Sequence, residues 1–298
     1  WRRGAPDDVC VGVPMADGGE GTIDAVCAAT EAERVAVRVT GPRGTPVEAA
    51  YARLHDDTAI IEMAQAAGLM LLPAAERDPR HTTTYGVGEL IAHALDAGAR
   101  QVVVGLGGSA TNDGGAGMAQ ALGARLLDEA GKEIERGCLA LARLAHIDPG
   151  GLHPALRHVP IEGACDVDNP LTGELGATHV YAAQKGAQPE QLAELDAALA
   201  HYARKLVATF GRDIAGEEGA GAAGGLGAGL MAFCGAWLEP GVARLAEAVE
   251  LEAQLRTADL VLTGEGRIDA QTAHGKVPAG VARLARQHGV PCIAVCGA

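Results

Sequence analysis

The sequence predicts an α/β fold in two parts, and three observations carry that expectation. From Ile23 to Gly105 the chain reads as helix, three extended runs, helix and buried strand. This α-β-β-β-α-β order makes an α+β core with a mixed sheet rather than a series of βαβ units. Near the C-terminus ADLVLTGEGRID, a helical stretch over about Val277 to His288, and VPCIAVCG read as strand, Gly loop, helix and strand, a βαβ unit of the doubly wound type. A length of 298 residues allows one large core or two moderate ones, and slightly favours two.

The elements follow in order. After a short apolar stretch at Val9 to Val13, GEGTIDAVCAAT places Ile23, Val26 and Cys27 on one helical face. ERVAVRVTGP, TPVEAAYARLHD and TAIIEMA are extended runs separated by G-P-R-G and H-D-D turns, which suits a meander. A helix over about Tyr85 to Ala97 turns Leu90, Ile91, Ala94 and Leu95 inward, with Thr82, Thr83 or Thr84 near its cap, and QVVVGLGG is a buried strand. IEGACDVDNP reads as a strand ending in a polar turn. Leu192, Leu195, Leu199, Tyr202, Leu206 and Phe210 recur three and four apart, the mark of an amphipathic helix. GEEGAGAAGGLGAGLMAF is dense in glycine yet carries Leu226, Leu230, Met231 and Phe233. It is therefore expected to cover a ligand or to let backbones approach closely, not to be a free linker.

Charge and composition narrow the partners. With 38 acidic against 24 basic residues the net charge is -14, a field that repels polyanions, and 3% aromatic residues leave few stacking surfaces. Nucleic acid is thereby excluded as an expected partner. A small anionic ligand would have to be met locally, by loop amides, a helix N-terminus, a metal or a few placed cations. No run approaches the roughly 20 apolar residues of a membrane helix, and WRRGAPDDVC lacks the pattern of a signal peptide, so a cytoplasmic location is expected. The seven cysteines, Cys10, Cys27, Cys138, Cys165, Cys234, Cys292 and Cys296, have no C-x-x-C pairing and read as reduced thiols, several in apolar runs. The ten His lack H-E-x-x-H spacing, which argues against a zinc hydrolase.

Four motifs carry chemistry. In MADGGEGT three glycines allow close approach of backbone to ligand, and Asp17 and Glu20 offer oxygens to a divalent cation; a turn in which Asp17 caps the helix is the plainer reading. GLGGSATNDGGAG follows a buried strand, so its amides can form an anion nest. Gly105, Gly107 and Ala110 match a loose dinucleotide fingerprint with Asp128 as ribose contact, but the polar cluster Ser109, Thr111, Asn112 and Asp113 suits a small polyhydroxy acid better. In ACDVDNPL, Asp166 and Asp168 leave a strand end at i, i+2 spacing that points both to one side, as a metal site or a base with its partner requires; an Asx turn before Pro170 is the alternative. Gln184 and Lys185 nearby offer a donor pair, unless Lys185 is simply a solvated surface residue. TGEGRIDAQTAHGK is not a Walker A loop, yet Gly264, Gly266, Arg267, Gln271, Thr272 and Lys276 gather amides and cations near a helix entry, as a triphosphate needs. In doubly wound sheets ligands bind outside the carboxyl ends of the strands, which places this loop at a mouth.

Together PMADGGEGT, the H-T-T-T-Y-G-V-G-E-L-I run, GLGGSATNDGGAGM, CDVDNPLTG, QKGA, GAGAAGGLGAGL and ADLVLTGEGRID-QT-GK resemble the glycerate kinase type 1 family, in one order from about Pro14 to the end. The resemblance implies two lobes: a flavodoxin-like Rossmann lobe from residues 1–14 and 241–298, and an inserted α+β lobe over 15–240 with a restriction-endonuclease-like core. Members of that family begin with a strand and an A-P-D-S-F-K-G loop and continue past this C-terminus. With no initiator Met and a final strand entering a Gly turn, terminal segments are expected to be missing here, which puts the activity of this chain in question.

The reaction implied by the resemblance is ATP plus D-glycerate giving ADP and a phosphoglycerate, with Mg²⁺ bridging phosphates; the family leans to the 2-phosphate. Asp166 and then Asp17 are the expected catalytic carboxylates, and Asp166, Asp168 and Glu20 the expected metal oxygens. For glycerate the expectation is Arg80, Gly107, Gly108, Ser109, Thr111, Asn112, Asp113 and Lys185. For ATP it is Gly264, Gly266, Arg267, Gln271, Thr272 and Lys276. A dinucleotide-dependent hydroxy-acid oxidoreductase and a non-catalytic organic-acid sensor are the alternatives.

Overall fold

The computed structural model describes residues 7–265 and 277–297. Its centre is a six-stranded sheet. β1 (Glu33–Thr40), β2 (Pro46–Arg53) and β3 (Thr58–Glu62) form the expected antiparallel meander, with Tyr51 opposite both Val35 and Ile61. β4 (Gln101–Gly105) then pairs parallel to β3. β5 (Arg125–Leu127) and β6 (His146–Asp148) make a separate antiparallel ribbon, while β7 (Ile161–Ala164) and β8 (Trp237–Glu239) extend the main sheet in parallel. The order is β1-β2-β3-β4-β7-β8, a mixed sheet in an α/β protein.

Both faces of this sheet are covered, because successive side chains of a strand point to opposite sides. Ala59 and Ile61 of β3 and Val102 and Val104 of β4 join one apolar core; Ile60 and Val103 join the other. The larger core packs under α2 (Ala64–Ala67), α3 (Tyr85–Asp96), α4 (Ala116–Ala121), α5 (Ala177–Tyr181), α6 (Leu192–Phe210) and α7 (Ala222–Cys234). On the opposite face lie α1 (Thr22–Ala29), α8 (Gly241–Ala248), α9 (Leu251–Leu255) and α10 (Val277–Gln287), where Ile23, Val26, Leu245, Val281 and Ala285 share one cluster. The helix α10 lies between β9 (Val261–Glu265) and β10 (Cys292–Cys296), which pair in parallel, so the C-terminal βαβ unit is present.

The helices form where their apolar spacing predicts. Leu90, Ile91, Ala94 and Leu95 are buried along α3, which stops at Gly98 in the left-handed conformation with Ala99 N returning to Ala94 O at 3.0 Å. Leu195, Leu199, Tyr202 and Leu206 are buried along α6, and its flanking Leu192 and Phe210 are partly buried; each such burial contributes about 1.5–3 kcal/mol. Cys27 is only partly buried beside Ile23 and Val26. All seven cysteines are free, with Cys138 and Cys234 in the core and Cys10 and Cys296 exposed. Among the described residues no helix is long and apolar enough to cross a membrane.

The glycine-dense segment is a helix with an unusual start. Ala223, Gly224 and Gly225 are all left-handed, at φ of 53°, 70° and 89°. The reason is contact between backbones: a Cβ on Gly224 would lie 1.9 Å from Thr111 O, and one on Gly229 2.8 Å from Gly115 Cα. Close approach, one of the two roles expected of this segment, is what its packing provides. It presses α7 onto the loop that follows β4.

Candidate active site

The site is assembled at the carboxyl ends of the parallel strands β3, β4, β7 and β8. Their last residues are locked in register: Glu62 faces Gly105, Gly105 faces Ala164, and Ala164 faces Glu239. Beyond those ends, Met63 N donates to Gly105 O at 3.2 Å, Leu106 N to Ala164 O at 3.1 Å and Cys165 N to Glu239 O at 2.8 Å. Four loops therefore leave the sheet side by side.

The D-G-G-E-G segment crosses these ends, and glycine is what lets it do so. Gly107 N donates to Gly18 O at 3.1 Å, and Cβ atoms added at Gly105 or Gly107 would fall 2.4 Å from Gly18 O or Gly19 Cα. Asp17 Oδ1 accepts from Gly19 N at 3.1 Å, shaping this loop; α1 has Gly21 at its N-cap and no side-chain cap of its own, so the helix-capping reading of Asp17 is not the one observed. The Glu20 side chain lies against Gly108, within 3.0 Å of where a Cβ would stand.

Asp166 closes the opposite side. Its Oδ1 accepts from Gly241 N at 2.8 Å, at the start of α8, and a Cβ on Gly241 would meet Asp17 O at 2.2 Å. The other oxygen, Oδ2, is buried and has no hydrogen-bond partner among the described residues. Burial chiefly, opposed by the Gly241 and Val242 amides and reinforced by Asp17, pushes the Asp166 carboxyl up to about 6. The pleat of β7 ends at Ala164, so strand alternation no longer directs the two aspartates alike: Asp166 is partly buried and Asp168 exposed. The two carboxylates of the expected pair therefore differ in depth. Asn169 forms the polar turn instead, donating to Leu175 O at 2.8 Å and accepting from Tyr181 Oη at 2.6 Å.

The polar cluster after β4 is divided by depth. Gly108 is exposed and Ser109 lies at the rim of the interior, and among the described residues neither amide hydrogen has an acceptor. Thr111, Asn112 and Asp113 are fully buried. Asp113 accepts from Thr84 N at 2.8 Å, from Thr84 Oγ1, and from Gly115 N and Gly117 N at 3.2 and 3.3 Å. Asn112 Nδ2 donates to Thr178 Oγ1 at 2.9 Å. Thr84 stands at the N-cap of α3 but its side chain makes no capping bond; Thr82 Oγ1 donates to Ala110 O at 2.8 Å, and Thr83 Oγ1 accepts from Tyr85 N at 3.2 Å.

Lys185 is not a solvated lysine. It is buried, and its Nζ donates to Thr111 O at 2.8 Å. Burial pushes its amine down to about 7 against the attraction of Asp113, and burial pushes the Asp113 carboxyl up despite its four donors. Arg80, at the edge of the same region, is held by Asp78 through Nε and an NH2 group, each at 2.8 Å. Asp128 accepts from Ala130 N and Lys132 N in its own turn, and eight residues separate Gly107 from α4, so the dinucleotide fingerprint lacks its helix and its ribose carboxylate. Gly264 is a residue of β9 beside Val295; Gly266, Arg267, Gln271, Thr272 and Lys276 lie outside the described residues.

Two residues at the strand ends escaped sequence reasoning. Gly241 carried no signal of its own in the sequence, and its contact with Asp166 spans 75 residues. Glu62 is a buried carboxylate at the end of β3; its signal was a lone acid inside the apolar run TAIIEMA.

Comparison with known proteins agrees with this architecture. A model of the glycerate kinase family matches residues 1–298. The chain is 51% identical to a glycerate kinase of Halalkalibacterium halodurans over all of this chain and 78% of that protein. It is 50% identical to a glycerate 2-kinase of Escherichia coli, again over all of this chain and 78% of the relative. A crystal structure from Salmonella typhimurium, assigned as glycerate kinase 2, superposes with a TM-score of 0.90 at 52% identity, over 99% of this chain and 79% of that one. Seven sequence blocks in order, the mixed sheet with its strand-end loops and these full-chain matches lead to one conclusion: the chain belongs to the glycerate kinase family.

Proposed function

We propose that the protein transfers the γ-phosphoryl group of ATP to a hydroxyl of D-glycerate, giving ADP and 2-phosphoglycerate. The observation that carries the reading is the meeting of Asp17, Asp166 and the side-chain-free positions Gly105, Gly107 and Gly108 at the strand ends, in a chain of this family. Phosphoryl transfer asks mainly for positioning and charge neutralisation, with a carboxylate to take the hydroxyl proton. Asp166 suits that role: its Oδ1 is fixed by Gly241 and its Oδ2 is left without a partner.

Gly108 and Ser109 meet glycerate directly, with Arg80 as the cation at the rim. Thr111, Asn112, Asp113 and Lys185 act from beneath, shaping the loop that presents Ser109. Gly264, Gly266, Arg267, Gln271, Thr272 and Lys276 take the ATP phosphates. The division into a Rossmann lobe of 1–14 and 241–298 and an inserted lobe of 15–240 belongs to the same reading, as does a cytoplasmic location.

Mg²⁺ fits the donors present. Among the described residues no group of three or more His, Cys, Asp or Glu is arranged to hold a metal, but Mg²⁺ commonly uses one or two carboxylates together with substrate phosphates. Asp17 and the orphaned Asp166 Oδ2 are such oxygens, with Glu20 and Asp168 farther out. When bound, the ion supplies neutralisation of phosphate charge.

Incubation with ATP, Mg²⁺ and D-glycerate, followed by phosphorus NMR of the product, tests the reading. A phosphomonoester on the 2-oxygen with stoichiometric ADP is expected. A change in NAD(P) absorbance without ADP would instead support the oxidoreductase alternative, and binding without turnover the sensor.

A further inference from the structure

Glu62 stands outside every role assigned so far. It is the last residue of β3, paired in register with Gly105, and only 2% of it is exposed. Its Oε2 accepts from Ile23 N at 3.2 Å, across 39 residues, and Gln65 Nε2 lies 3.4 Å from Oε1. The groups acting on the carboxyl are the Ile23 and Gly21 amides, Gln65 and, repulsively, Asp24; no Lys, Arg or His ion pair to it occurs among the described residues. Burial pushes this carboxyl above its usual range.

A buried carboxylate without a counter-ion is costly, and an apolar residue would fill the end of a strand with less penalty. What offsets the cost is the first turn of α1. A helix leaves its first amides without partners, normally met by a side chain at the N-cap. Here the N-cap is Gly21, at φ 87° and with no side chain, so Ile23 N depends on an acceptor from elsewhere. The carboxylate also lies where the helix dipole favours negative charge.

The segment so held is the one that carries Asp17 and Glu20. At its other end Gly18 O accepts from Gly107 N, so the loop is pinned at two points: by a backbone bond to the β4 loop and by Glu62 from β3. We propose that Glu62 is a positioning residue for phosphoryl transfer, fixing α1 and with it the Asp17–Glu20 loop over the strand ends. The inference rests on the kinase reading for its catalytic consequence, while the clamp itself is a property of the fold.

The test compares Glu62→Ala, Glu62→Gln and Glu62→Asp in steady-state kinetics and amide hydrogen exchange. A displacement of about 1 Å in a reacting group can cost on the order of 10²-fold in rate. Glu62→Ala is expected to lower kcat about 10- to 100-fold, to change KM for D-glycerate far less, and to speed exchange at residues 18–25 while the amides of β4 and α3 keep their protection. Glu62→Gln keeps an acceptor oxygen at the same reach and should recover most of both losses. Glu62→Asp draws the carboxylate back by one methylene and should show the Ala pattern, which keeps the test decisive if the Ala variant does not fold. A kcat within twofold of the parent in Glu62→Asp, or unchanged exchange at 18–25, overturns the proposal. Equal loss of protection throughout the sheet overturns it too, since that marks a purely structural acid. A parent that makes no phosphoglycerate would refute the kinase reading and the catalytic role, and the exchange data would still decide the clamp.

Discussion

Asp166 Oδ1 accepts the amide hydrogen of Gly241 at 2.8 Å, tying the end of β7 to the first residue of α8. That one bond joins the segment after Ala164 to the helix α8, and it leaves the other carboxylate oxygen buried without a hydrogen-bond partner among the described residues. It also fixes what substitution there should do.

Asp166→Asn keeps an oxygen for Gly241 and removes the charge. The expected loss in kcat is about 10²–10⁴-fold, the usual worth of general-base assistance. The folded carboxyl titrates at about 6, above its ordinary 3.8, so between those values the folded state binds more protons and ionisation lowers stability as pH rises. The Asn variant should therefore match or exceed the parent in thermal stability at pH 7.5, and the gap should vanish below pH 4. A fall in kcat under tenfold with a lower Tm would make Asp166 a turn residue and Asp17 the better base. Lost Mg²⁺ dependence would mark it as a metal ligand.

Gly107→Ala places a methyl 2.4 Å from Gly19 Cα, so the D-G-G-E-G loop must move. We expect kcat to drop about 10- to 100-fold, with a Tm loss of only a few degrees. Equal activity at equal protein concentration would show that the loop position is not critical.

Gly224→Ala should damage the fold itself. Its Cβ would stand 1.9 Å from Thr111 O, on backbone at φ 70°. Overpacking and left-handed strain together predict a loss of about 3 kcal/mol or more in urea denaturation. A loss below about 1 kcal/mol would show that α7 and the 111–115 loop separate easily.

Lys185→Met tests the buried amine through pH. The folded amine titrates at about 7 against 10.5 in the unfolded chain, so between those values the unfolded chain binds more protons and parent stability gains as pH rises. The variant lacks that gain. Urea midpoints of the two proteins should diverge in the parent's favour from pH 7 to pH 10, and parallel profiles would mean that Lys185 is not held away from water.

Much of this was legible in local patterns. The meander and the C-terminal βαβ unit followed from extended apolar runs bounded by turns, and α3 and α6 from apolar residues three and four apart, because each of these helices buries one face. The Gly-rich loops were recognisable as places of close approach. Their partners were not: that Gly107 meets Gly18, or Gly224 meets Thr111, depends on segments far apart in the chain. The different depths of Asp166 and Asp168 have a local setting, since β7 ends two residues before Asp166.

The residue types alone determined the mixed α/β class, the net charge of -14 and the places where glycine lets backbone segments approach closely. Tertiary structure decided how deep each residue of one motif lies. Gly108 and Ser109 reach the rim while Thr111, Asn112 and Asp113 sink beneath α3 and α7, though all five stand within six positions. Depth depends on what packs above a segment, and only the folded chain brings Lys185, 74 residues away, onto the Thr111 carbonyl.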